Sequence, residues 1–105
     1  MALTESRYVQ AVETPEYQMV AGEMTRRCLV HRFRMADCED PYLMASFPIN
    51  EWKNTDKGQW FTENCKYDPV YYVEVDMQYM GYRVAIFGHF TAEAEAEMYL
   101  RWGKP

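Results

Sequence analysis

Between Val70 and Phe90 large apolar and polar residues alternate with a period of two, the signature of strands with one buried face. Tyr71, Val73, Val75 and Met77 fall on one side of the first run, and Tyr72, Glu74 and Asp76 on the other. In the second run Tyr82, Val84, Ile86 and Gly88 alternate with Arg83, Ala85, Phe87 and His89. Met80-Gly81 lies between them, and glycine tolerates the positive φ of a tight connection. The expected product is an antiparallel hairpin. An isolated hairpin is marginal in water, so its apolar face needs a cover from the rest of the chain.

Amphipathic segments on either side supply that cover. Thr91 is placed to cap a last helix, with Glu93 and Glu95 in its early turns and Gly103 at its end. Ala92, Ala96, Tyr99 and Leu100 follow helical spacing, Met98 and Trp102 pair at i, i+4, and Glu97 faces Arg101. Upstream, Asp40 and Pro41 open another helix, which Pro48 is expected to stop or kink. Residues 48–65 then read as one helix with a weak middle at Asn54–Gly58, or as two short helices. Arg27–Met35 reads as a strand, with Leu29, His31, Phe33 and Met35 on one side and Cys28, Val30, Arg32 and Arg34 on the other. The order β-α-β-β-α predicts an α+β domain over residues 25–105: a small antiparallel sheet with helices packed on one face, ferredoxin-like or a truncated variant. Residues 1–24 carry four Glu and one Arg and fit either a hairpin of Tyr8–Val12 with Tyr17–Ala21 or an arm that docks on a neighbour. An N-terminal strand would bring the sheet to four.

Several function classes are disfavoured by composition. No apolar run exceeds four residues, far short of the roughly 20 of a membrane helix. Met1–Arg7 lacks the basic and apolar parts of a secretory signal, which points to a cytoplasmic protein. Three cysteines without a C-x-x-C pair fit free thiols in a reducing compartment. Cys28 and His31 make only half of a zinc-ligand set, so neither metal nor cofactor is expected. A net charge of −5 opposes a nucleic-acid partner. Aromatic residues at 16% and eight Met exceed what one small core hides, which points to a second copy as the partner.

Two residue sets stand out as candidate sites. Tyr72, Glu74, Arg83 and His89 share one expected sheet face and bring acid, base and cation together, enough to hold a polar ligand or to perform general acid-base chemistry. The plainer account of the same residues is cross-strand charge pairing on a wet face. Tyr72 and Phe87 with Arg32 and Arg34 form an aromatic-basic surface, read here as half of a sheet-to-sheet or edge-to-edge homodimer rather than an RNA platform. Cys28 and His31, three apart on a regular strand, face opposite ways, whereas Cys65 or Cys38 with His89 stays open as a nucleophile–base pair, since a sequence does not display contacts between distant segments. No catalytic residue is assigned.

Three strings carry a likeness to known sequences: HRFRMADCEDPYLMASFPINEWKNTDKGQW, MGYRVAIFGHF and YLRWG. With their Glu51-Trp52, Thr55-x-x-Gly58-x-Trp60, Gly81-Tyr82 and Arg101-Trp102-Gly103, residues 28–103 resemble short uncharacterised proteins of tailed phages infecting marine cyanobacteria. The resemblance implies a phage origin and a host-cell cytoplasm, and brings no activity or functional residue with it. Taken together, the expectation is a small non-catalytic phage accessory protein that self-associates as a dimer and binds a host or phage protein. The alternative is a small-molecule-binding domain or minor enzyme using the polar cluster on the open sheet face.

Overall fold

The computed structural model describes residues 3–5 and 12–105. Its elements are β1 (Thr4–Glu5), β2 (Gln18–Val20), β3 (Glu23–Ala36), α1 (Pro41–Lys53), α2 (Asp56–Asn64), β4 (Tyr67–Asp76), β5 (Gly81–Phe90) and α3 (Ala92–Trp102). The class is α+β, as expected. The sheet has five strands in place of four, in the order β1-β4-β5-β3-β2. It is mixed, because β1 runs parallel to β4 while the other pairs are antiparallel. Among the described residues no helix is long and apolar enough to cross a membrane.

The β4–β5 hairpin forms where the alternation places it, with Glu74 opposite Arg83 and Tyr72 opposite Ala85. Met80, not Gly81, takes the positive φ of its turn. The helices lie together on one side, over a core that joins Cys28, Val30, Val84, Ile86 and Phe90 of the sheet to Ile49, Trp52, Trp60, Phe61 and Met98. Trp60 is central to it, stacked on Phe90 at 5.4 Å and edge-on to Trp102 at 5.6 Å.

Helix starts follow the sequence closely. Asp40 accepts from Leu43 N and has Pro41 behind it; Thr55 accepts from Gly58 N, and Thr91 from Ala94 N. Pro48 neither stops nor breaks α1, which continues to Lys53. Its missing N–H deprives the carbonyl of Met44, and Met44 is on the exposed side, where water can serve instead. The break falls at Asn54–Thr55, inside the expected weak middle.

The N-terminal segment is a hairpin of a different kind from the one expected. β2 pairs with the start of β3 through a turn at Ala21-Gly22, both at positive φ. Thr14 extends the contact by exchanging bonds with the Arg27 backbone. Of the expected Tyr8–Val12 partner, residues 8–11 lie outside the described residues.

A register shift in β3 changes the faces of that strand. In β3 the register shifts between Leu29, opposite Phe87, and His31, opposite Ile86, so Val30 is an extra residue in a β-bulge. The expected division of this strand is therefore corrected. Cys28 and Val30 join His31, Phe33 and Met35 on the helix side, and Leu29 joins Arg32 and Arg34 on the other.

Candidate functional site

On the face turned away from the helices, register sets the side chains of β3, β5 and β4 in three rows. Leu29, Phe87 and Val70 make an apolar row; Arg32, Ala85 and Tyr72 a middle row; Arg34, Arg83 and Glu74 a charged row. Ala85 has only a methyl group where its neighbours are long. The consequence is a groove of about 410 Å³ with Ala85 in its floor. Tyr72 stacks on Phe87 at 5.7 Å and 19°, fixing the aromatic wall.

Electrostatics along the charged row are unequal. Arg83 meets Glu74 at 2.7 Å and approaches Asp76 at 3.9 Å, while Arg34 meets Asp76 at 3.3 Å and lies over the Tyr79 ring at 5.5 Å. Asp76 is buried and also accepts from Tyr79 N, so it needs the cations around it. Two carboxylates thus face three guanidinium groups. Arg32, exposed at one end of the groove, has no ion pair among the described residues.

Of the first candidate set, the structure brings Tyr72, Glu74 and Arg83 together and leaves His89 out. His89 is 8% exposed, with Nδ1 3.3 Å from Thr25 Oγ1 and its ring edge-on to Tyr67 at 5.7 Å. It packs the far end of β5. All of the second set, Arg32, Arg34, Tyr72 and Phe87, line the same groove, and Phe87 is 5% exposed. It supports Tyr72 and leaves almost no ring surface for sheet-to-sheet contact.

The bulge also places Cys28 and His31 on one face, contrary to expectation, yet their surroundings differ. Burial, followed by the nearby Glu95 charge, pushes the Cys28 thiol up to about 12. His31 stacks flat on Trp52 at 5.1 Å, and burial, with Lys57, lowers its pKa. Cys65 lies beneath Gly88 on the helix side, and His89 faces the other way. Among the described residues no set of three or more His, Cys, Asp or Glu gathers as a metal site.

One ionic cluster was not foreseen. Glu95 is 4% exposed and receives two bonds from the Arg26 guanidinium, one of them Nε–Oε1 at 2.7 Å, and a third from Tyr17 Oη at 2.7 Å. Arg26 first, and Tyr17 after it, hold the Glu95 carboxyl at about 2. Tyr17 precedes β2, so this cluster ties the N-terminal hairpin to α3. The only sequence signal was a glutamate at a position where its helix neighbours are core residues.

A further surface lies on α1. Ala45, Ile49 and Trp52 face the core, yet Leu43 and Phe47 on the outer side are 57% and 59% exposed, with Met44 beside them. A helix apolar on both sides is usually covered on both.

No family model matches the sequence, and neither curated proteins nor solved structures give a match.

Proposed function

We propose that the chain is a small non-catalytic accessory protein of the phage type, acting in a bacterial cytoplasm, that self-associates and binds a host or phage protein. The observation that carries this reading is the outer face of α1, where Leu43, Met44 and Phe47 stand in solvent on a helix whose other side is already in the core. A second copy is the occupant favoured by charge. Asp37, Glu39 and Asp40 precede α1 and Lys53 ends it, so antiparallel packing of two such helices sets the acidic end of each against the basic end of the other. Burial of a Leu–Phe pair at i, i+4 from each copy provides the apolar contact. Two of the three thiols and both imidazoles are engaged in packing, at Cys28, Cys65, His31 and His89, which is consistent with a binding role.

In fold terms we read β3 to α3 as a truncated ferredoxin-like unit. β3 and β4 run parallel with β5 antiparallel between them, the split β-α-β arrangement. β2 stands beside β3, where a final strand would close the sheet.

Sedimentation velocity tests the association. The wild-type protein is expected to sediment as two chains at about 100 µM, and Phe47→Asp as one chain with an unchanged far-ultraviolet spectrum. A wild-type protein that stays monomeric at that concentration removes the proposal.

A further inference from the structure

We propose that the groove at Ala85 is a binding site for a small ligand that joins a planar aromatic ring to an anionic group, phosphate or carboxylate. The site lies on the opposite side of the sheet from α1 and does not depend on self-association.

Charge fixes one end of the ligand. Arg83 is neutralised by Glu74 at 2.7 Å, and Arg34 by the buried Asp76 at 3.3 Å. Arg32 is the guanidinium in surplus, exposed and without an ion pair among the described residues. A planar fork of N–H donors takes phosphate or carboxylate with two parallel bonds, so the anion belongs there.

Shape fixes the other end. Arg32, Ala85 and Tyr72 are consecutive across three strands, so Arg32 and Tyr72 stand about 10 Å apart, twice the strand spacing. The methyl of Ala85 leaves a flat floor between them, and the Tyr72–Phe87 stack provides an aromatic wall. A planar ring fits on that floor against the wall. Glu74, at the Tyr72 end of the charged row, can accept a bond from an N–H or O–H on the ring. At about 410 Å³ the groove is within the range of small-ligand sites.

Titration calorimetry on the full chain tests this with four probes. Adenosine 5′-monophosphate and indole-3-acetate each carry ring and anion, with phosphate in one and carboxylate in the other. Adenosine lacks the anion, and ribose 5-phosphate lacks the ring. One or both of the first two are expected to bind. Adenosine and ribose 5-phosphate should bind at least roughly tenfold more weakly, and Arg32→Gln should cost the anionic ligand a similar factor. Ala85→Leu, which fills the floor, should abolish binding. Failure of both aromatic anions at millimolar concentration overturns the proposal. So does ribose 5-phosphate binding as well as adenosine 5′-monophosphate, or affinity unchanged in both variants.

Discussion

Glu95 and Glu74 both meet an arginine, and the two pairs occupy very different solvents. Glu95 is sealed between α3 and the N-terminal hairpin, where Arg26 and Tyr17 satisfy it. Glu74 meets Arg83 at 2.7 Å on the open face, where both side chains remain substantially wet. The same chemistry therefore does different things. In the sealed pair the buried Glu95 carboxylate depends on Arg26, because its own side chain, 6% exposed, cannot turn to water. In the wet pair, water replaces whichever partner is lost, which leaves the groove free to exchange its contacts with a ligand.

Removing one member of the sealed pair should have the largest effect. Glu95→Ala leaves Arg26 without its carboxylate and should lower unfolding stability by about 3 kcal/mol, measured by urea denaturation. It should also loosen the N-terminal hairpin, seen as faster amide exchange in residues 18–25. A loss below about 1 kcal/mol would erase the contrast between the two clusters.

Acid separates them next. The folded-state pKa of Glu95 is about 2, below the ordinary 4.5, so the unfolded chain takes up the proton first as pH falls. The resulting stability is complete above about pH 4.5 and is lost on the way down to about 2, a change of about 3 kcal/mol. Denaturation curves for wild type and Glu95→Gln should therefore converge over that interval. Curves that keep a constant separation would show that the carboxylate charge is not what holds the hairpin.

The smallest effect belongs to the wet pair. Glu74→Gln should change stability by less than about 1 kcal/mol, and the change should shrink further as salt is raised. A cost equal to that of Glu95→Ala would mean that the open face is structural and not available for binding.

Much of this arrangement was legible because it is local. Asp40, Thr55 and Thr91 cap their helices within three residues of themselves, and the Val70–Phe90 hairpin closes through a short turn. Tyr72, Glu74 and Arg83 share one face because alternation along the β4–β5 hairpin puts them there, whereas Arg32 and Arg34 reach the same groove through the bulge at Val30. His89 obeys the same alternation and still misses the groove, since alternation gives the face and not the distance along it. The bulge at Val30 was hidden because Cys28, Val30 and His31 are each plausible on either side of a strand. That the helix runs on through Pro48 rests on the carbonyl of Met44 reaching water, a tertiary property. The Arg26–Glu95 pair spans 69 residues, and the glutamate among core positions of its helix does not name its partner.

The placement of β1 bears on the order of assembly. Thr4 and Glu5 lie beside Val70 and Tyr71, more than sixty residues downstream. During synthesis they leave the ribosome well before the strand they will join exists, and they gain nothing by ordering until it does. The β2–β3 hairpin and the helices can settle first from nearby contacts. The earliest of these strands to be made is thus among the last to find its place, and β4 keeps an open outer rim until it does.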